Sequence, residues 1–379
     1  MRLDDLAAKT PPDRDRYVDF LRAFSIATVV FGHWFIALIW TQDERIGVYN
    51  AVGATSGLWL ATWVLQVMPL FFFVGGFSNL KTFEAMKKRD GTYGAFMRSR
   101  AARLLKPTGV FVGVWIAVQI VLHLLDVGGD ELIRLSMLPF GPMWFLFVYL
   151  AVIAAVPVTV FLHRRIGLPV VIGLVAAAIA VDLLRFAFDV DGIGWINLAF
   201  VWLFAHQLGY FYADGDLPDM QPKALFALAV SGLLALVVLT NIDVYPRSMV
   251  GTDVETLSNM NPPTLCIVAL TFWLVGLAML LRNRANEWLA RKKPWMAVIA
   301  ANSMIMTVFL WHLTAYLIAI VLLRPLGLGE TGDSTFSWWL QRPLWQIVPA
   351  LLLVPFVLVF GRFERPRPKP RPEQSERPS

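Results

Sequence analysis

Ten segments of this chain are apolar over roughly the 20 residues that an α-helix needs to cross a membrane. Backbone groups inside a bilayer find no water to bond, so segments of this kind form helices that pack together. In approximate bounds the segments are 17–40, 57–80, 107–127, 142–162, 168–187, 195–212, 223–240, 263–281, 295–323 and 344–361. The sequence therefore predicts an all-α, polytopic membrane bundle of about ten transmembrane helices.

The composition agrees with a membrane protein. Hydrophobic residues make up 57% of the chain and charged residues 16%, below the roughly 25% charged residues of a soluble domain. The first apolar run is long and lacks a small-residue cleavage site, which favours a retained span over a removed signal peptide. We expect an N-terminal tail at 1–16, a transmembrane domain at 17–361 and a disordered basic tail at 362–379, because the last segment is rich in proline and charge.

The basic residues predict the orientation, because cytoplasmic loops carry the excess of Lys and Arg. If the N-terminus is cytoplasmic, most of the 33 basic residues fall in inner segments. The outer segments then hold only Arg45, Arg134, Arg247, Arg324 and Arg342. We therefore predict that both termini are cytoplasmic. Contact with anionic lipid accounts for the formal charge of +6, and nucleic-acid binding is not needed to explain it.

Two ionisable residues stand eleven positions apart in the first apolar segment, Arg22 and His33. Eleven helical residues sweep about 1,100°, about 20° past three whole turns, and rise about 16 Å, so both side chains share a face. Ionisable groups inside a span usually face a bundle interior or a watery cavity. A neutral imidazole can act there as a base or a nucleophile. In the structural alternative, Arg22 pairs with Asp19 and His33 only bonds a neighbouring helix.

Four segments carry a resemblance to the acyltransferase-3 family of membrane proteins. The stretch RYVDFLRAFSIATVVFGH resembles the family's first helix, with its Arg and His separated by ten residues. MPLFFFVGGFSN at 68–79, FMRSRAARLLKP at 96–107 and NSMIMTVFLWH at 302–312 are similar to later family segments. The resemblance covers nearly the whole chain, and the ten-span plan is similar too.

The resemblance implies a set of site residues. His33 and Arg22 would be catalytic. Arg100 and Arg103 would hold the phosphates of coenzyme A, since guanidinium groups bind phosphate bidentately; contact with lipid headgroups is the alternative. Positions implied to bind substrate are Asp19, Trp144, Tyr149, Asn302, Ser303 and His312.

Two positions depart from the family pattern. Gly75 stands where serine is common, and Tyr149 stands where many members have a fourth-span glutamate. Without that carboxylate, a proton-relay role does not carry over. The GPMWFL sequence resembles the branch that includes glucan succinyltransferases.

The implied reaction moves an acyl group from cytoplasmic acyl-CoA to a hydroxyl, or less often an amine, on an extracytoplasmic glycan, lipid or small molecule. The outer segments 241–262 and 324–343 are candidates for a lid over the acceptor. Acyl-CoA would be a substrate, with no permanently bound cofactor, and the other partners would be the acceptor and membrane lipids. We expect location in the plasma membrane of a bacterium.

Other functions stay open. Polar residues in several spans also suit a secondary transporter or flippase, and a catalytically silent scaffold or sensor is a further alternative. The five histidines show no metal-binding spacing, so we expect no metal site.

Overall fold

The computed structural model describes residues 10–11, 14–42, 45–126, 134–329 and 334–364. Most of these residues are helical, which agrees with the predicted all-α membrane bundle. The α-helices are α1 Arg16–Ile36, α2 Ala51–Ala54, α3 Trp59–Leu65, α4 Met68–Lys87, α5 Tyr93–Leu124, α6 Trp144–Ala154, α7 Val156–Ile166, α8 Leu168–Phe186, α9 Asn197–Asp214, α10 Pro222–Leu239, α11 Leu265–Leu289, α12 Lys292–Asn302, α13 Ile305–Leu323 and α14 Phe336–Phe360. Short 3₁₀ turns occupy Leu138–Met143, Ile193–Ile196, Arg324–Leu326 and Gly361–Phe363.

Eight helical stretches among these residues are long and apolar enough to cross a membrane, so the chain is a multi-pass membrane protein. The pair α6–α7, bent by 52°, makes a ninth if it is one span. The bend coincides with Pro157 in the first turn of α7. In a helix that ran on from α6 through α7, this proline would lack the N–H needed for a backbone hydrogen bond, and its ring would clash with the preceding turn. The remaining predicted span, 195–212, corresponds to α9, whose apolar character is lowered by His206 and Gln207. Ten spans and cytoplasmic termini remain predictions.

The first predicted span, 17–40, is too long. Helix α1 ends at Ile36, and strand β1 Ala37–Gln42 pairs antiparallel with β2 Arg45–Asn50. These segments are rich in the β-branched and aromatic residues that favour strands. The hairpin lies against the end of α1 that carries His33, so the otherwise helical fold has a small sheet beside the candidate site.

The predicted ninth span, 295–323, is also wrong in detail, because Ser303 and Met304 separate α12 from α13. The Glu364 carboxylate accepts hydrogen bonds from the backbone N–H groups of Met306 and Thr307, both at 3.0 Å. It thereby caps the free N–H groups at the start of α13. Residues 362–364 are thus ordered, whereas the sequence predicted disorder throughout 362–379. The rest of that tail and most of 1–16 lie outside the described residues.

Helices α4 and α9 pack backbone against backbone in the interior. A Cβ atom added at Gly76 would lie 1.9 Å from the carbonyl oxygen of His206, and one at Gly209 would lie 2.1 Å from that of Phe73. Small residues allow this close approach of membrane helices. Helix α4 also contacts α1, and α1 contacts α13. This arrangement brings together α1, α4 and α13, three of the helices that carry the candidate site.

Candidate functional site

A pair of histidines joins α1 to α13. His33 Nδ1 lies 3.0 Å from His312 Nε2, and the two rings stack with centroids 5.2 Å apart. The indole N–H of Trp34 donates to the carbonyl oxygen of His312 at 3.0 Å. His312 is buried, with 1% of its surface exposed, whereas His33 is half-buried.

The hydrogen bonds of this pair fix one neutral proton arrangement. His312 Nδ1 lies 2.6 Å from the carbonyl oxygen of Phe309, and a carbonyl only accepts, so Nδ1 carries the proton. A neutral imidazole with one nitrogen protonated offers the other as an acceptor. His312 Nε2 therefore accepts from His33 Nδ1, and His33 Nε2 keeps a free lone pair. These tautomers are assigned from the hydrogen-bond geometry.

His33 lines a cavity of about 230 Å³ at the hairpin end of α1. Polar groups reach this cavity from Asn50 of β2, Asp253 of the 241–262 loop and Tyr316 of α13. Asp253 accepts a hydrogen bond from the backbone N–H of Asn50 at 2.8 Å. The loop predicted as a lid therefore contributes to the cavity, while His312 lies against His33 rather than among the lining residues.

A buried arginine, Arg342, lies beside the hairpin at this end of α1. Arg342 is 4% exposed, donates to the carbonyl oxygen of Ala37 at 3.0 Å and lies over the ring of Trp338. Its guanidinium is also close to the hydroxyl of Tyr316. Arg342 thus ties α14 to the start of the hairpin and to the helix of His312.

Nearer the other end of α1, Arg22 and Arg100 meet at one serine. Arg22 donates to Asp19 Oδ1 at 3.1 Å and to Ser78 Oγ at 2.5 Å. Arg100 donates to the backbone oxygen of Ser78 at 2.6 Å and to Thr82 Oγ1. The family resemblance implied both arginines as site residues but not Ser78, although Ser78 lies in the family-like segment 68–79.

Asp19 connects this cluster to α12. It forms a second ion pair with Arg14 at 2.6 Å, and its backbone oxygen accepts from Asn302 Nδ2 at 2.8 Å. Ser303 does not join them, because it is exposed and its hydroxyl donates to the carbonyl oxygen of Ala300. Asp19, Arg22 and Asn302 are therefore neighbours.

Both contacts of the structural alternative are present, since Arg22 pairs with Asp19 and His33 bonds a neighbouring helix. They are compatible with catalysis, because a catalytic imidazole is itself held in place by a hydrogen bond to its second nitrogen.

Arg103 lies one turn after Arg100 on α5, within electrostatic range of Arg100 and Glu364. Burial raises the pKa of the Glu364 carboxyl, and the backbone N–H groups of α13 and Arg103 act in the opposite direction. Arg100 therefore contacts Ser78, and Arg103 lies near Glu364 at the break between α12 and α13.

Gly75 and Tyr149, the two positions that depart from the family pattern, are in contact. A Cβ atom added at Gly75 would lie 2.8 Å from the Tyr149 ring and 2.9 Å from its hydroxyl. The Tyr149 ring also stacks on Phe145, with centroids 5.8 Å apart. Gly75 therefore provides the space that the larger Tyr149 side chain occupies.

Trp144 begins α6 beside the same aromatic group. Its ring lies 6.4 Å from that of Phe145 and 6.4 Å from that of Trp202, and it is half-buried. Across the described ranges, no three His, Cys, Asp or Glu side chains are grouped as metal ligands.

A protein-family model matches nearly the whole chain. A model of the acyltransferase-3 family, described as an acyltransferase domain, matches residues 15–361. Neither a curated protein nor a solved structure matches the chain. The matched range contains α1 to α14, with His33 and His312 and with Arg22, Arg100 and Arg103. The chain therefore belongs to the acyltransferase-3 family and is a membrane acyltransferase.

Proposed function

We propose that this protein transfers an acyl group from cytoplasmic acyl-CoA to a hydroxyl on an extracytoplasmic glycan, lipid or small molecule in a bacterial plasma membrane. The observation that carries the proposal is the hydrogen-bonded order Phe309 carbonyl, His312, His33. It leaves Nε2 of His33 as the basic nitrogen of a residue that lines a cavity.

In this reaction His33 acts as a general base. Nε2 takes the proton of the acceptor hydroxyl while the oxygen attacks the thioester carbonyl. The carbon–sulfur bond then breaks, the acyl ester forms, and the coenzyme A thiolate recovers the proton from His33. General-base assistance of this kind contributes roughly 10²–10⁴-fold to a rate.

His312 acts as a positioning residue. It accepts from His33 Nδ1 and so orients the imidazole, and it continues to accept that bond when His33 becomes an imidazolium. The Phe309 carbonyl holds His312 in the tautomer that this role requires.

Arg22, Arg100 and Arg103 bind the donor in this proposal. Charge-assisted bonds from guanidinium groups suit phosphate and pantetheine oxygens. Arg22 stands about 16 Å along the helix from His33, so phosphate contacts there leave room for an extended arm that reaches the imidazole. Asp19 and Asn302 hold this end of the site in place.

The remaining substrate contacts are assigned to either end. Tyr149, within electrostatic range of Arg100, would contact the donor, as would Trp144 of the same helix and the exposed Ser303. The acceptor would enter the cavity at the hairpin, where Asn50, Asp253 and Tyr316 supply polar groups.

The test uses purified protein in proteoliposomes supplied with acyl-CoA. We expect release of coenzyme A that depends on an acceptor and is lost in His33→Gln, which keeps hydrogen-bonding groups but cannot take the proton. His123→Gln, a change of an exposed histidine on α5, is the matched control and should leave release unchanged. Undiminished release by His33→Gln would reject the role of His33.

A transporter or flippase is the second candidate, because two helical regions are discontinuous, at the α6–α7 bend and at the α12–α13 break. Broken helices form substrate sites in transporters. This candidate predicts movement of a solute or lipid across proteoliposomes without acyl-CoA, and absence of such movement would exclude it.

A further inference from the structure

A second cavity, of about 380 Å³, lies at the end of α8. Its polar lining consists of Arg185, Asp189 and Asp191, together with the indole of Trp195. Leu257 of the 241–262 loop closes another side. None of these residues takes part in the acyl-transfer site described above.

Arg185 is held in place but not fully satisfied. Its guanidinium lies over the ring of Phe186, 4.7 Å from the centroid. A Cβ atom at Gly194 would lie 2.9 Å from Arg185 Cδ, so the turn packs directly on the side chain. Within the described part of the chain, Arg185 Nη1 is buried without a hydrogen-bond partner. A buried donor in this state is costly.

The loop that lines this cavity is anchored beside Arg185. Asp182, one turn earlier on α8, accepts from the Tyr245 hydroxyl at 3.0 Å and from the backbone N–H of Leu265 at 2.9 Å. It also accepts from Asn197 at 2.8 Å. These bonds fix both ends of the 241–262 loop relative to α8 and α9, so the elements that line the cavity are held in place relative to each other.

We propose that this cavity binds a sugar unit of an oligosaccharide acceptor, an inference that rests on the proposed function. Sugar hydroxyls both donate and accept, so they match an arginine donor next to two carboxylate acceptors. The Trp195 side chain, 53% exposed, offers an apolar ring face with a polar edge. A phosphate group fits less well, because Asp189 and Asp191 in the same cavity repel it.

The same loop joins this cavity to the one that contains His33. Asp253 lines the His33 cavity, and Leu257 lines the second one. Four residues of chain span at most about 14 Å. Under this proposal, one extended acceptor places one sugar at His33 and a further sugar against Trp195. The preferred acceptor class is then an oligomeric glycan, in which the second contact raises the affinity of the whole molecule.

The test measures binding directly, in the full-length His33→Gln protein, so that turnover does not interfere. The probes are neutral glucan, mannan and galactan oligosaccharides of defined length, from one sugar upward. We expect affinity to rise with length in at least one series. Trp195→Ala and Asp191→Asn should each weaken binding of the longer members about tenfold and leave the single sugar unaffected. Phe188→Ala, an exposed neighbour outside the cavity lining, is the control and should change nothing.

Several results would overturn the proposal. They are no binding of any series, an equal loss at every length, or no effect of Trp195→Ala and Asp191→Asn. Retention of a phospholipid on the purified protein that is lost in Arg185→Gln would assign the cavity to lipid instead. If the wild-type protein shows no transferase activity while the His33→Gln protein still binds in a length-dependent way, the proposed function is rejected and this subsite is kept, so the two failures are distinguishable.

Discussion

Replacing His312 with phenylalanine is expected to slow acyl transfer without abolishing it. Phenylalanine retains a ring but removes the nitrogen that accepts from His33 Nδ1 at 3.0 Å. His312 is 1% exposed, so water does not readily replace the lost partner. Loss of a partner for a buried donor costs about 1–3 kcal/mol, which corresponds to roughly 5–150-fold in rate. Loss of the base itself in His33→Gln should cost more, roughly 10²–10⁴-fold.

The assay measures kcat and the KM for acyl-CoA in proteoliposomes at matched protein levels. His312→Phe should lower kcat and leave the donor KM unchanged, because His312 acts through His33. His312→Gln should be less impaired, since its amide oxygen can accept the same hydrogen bond. The reasoning is refuted if His312→Phe turns over at the wild-type rate, if it is as inactive as His33→Gln, or if only the donor KM rises.

Three further predictions concern the surrounding structure. Arg22→Lys should raise the apparent KM for acyl-CoA, because lysine cannot reproduce the fork geometry of the guanidinium; unchanged donor saturation would remove donor binding from this residue. Gly75→Ser should lower the free energy of unfolding by about 1–3 kcal/mol through overpacking against Tyr149. In a double-mutant cycle measured by denaturant unfolding, Gly75→Ser should cost less when Tyr149 is replaced by alanine. An equal cost with Tyr149 in place and with Tyr149→Ala would contradict the contact. A cysteine placed in 241–262 should react with an impermeant thiol reagent in intact cells, whereas one in 282–293 should not; reversed labelling would exchange the donor and acceptor sides.

The parts of this structure that sequence could predict are local ones. Helical periodicity placed Arg22 beside Asp19, because residues three apart in a helix are neighbours. The pairing of His33 with His312 joins residues 279 positions apart, and no periodicity contains that information. It depends on how α1 packs against α13.

Other differences have the same physical origin. The break between α12 and α13 is capped by Glu364, a residue that composition alone placed in a disordered tail. Ser78 became a site residue only when packing brought Arg22 and Arg100 to its hydroxyl and its carbonyl oxygen. These polar contacts form between helices that are far apart in the sequence. Hydropathy could therefore identify the spans but not the hydrogen-bond partners.

The most direct measurement of the central claim is mass spectrometry of extracytoplasmic glycans and lipids from cells that lack the gene and carry either the wild-type protein or His33→Gln. The account predicts an acyl modification that is absent without the gene, restored by the wild type and not restored by His33→Gln expressed at the same level. Restoration of the modification by His33→Gln would contradict it and place the acyl-transfer chemistry at another residue.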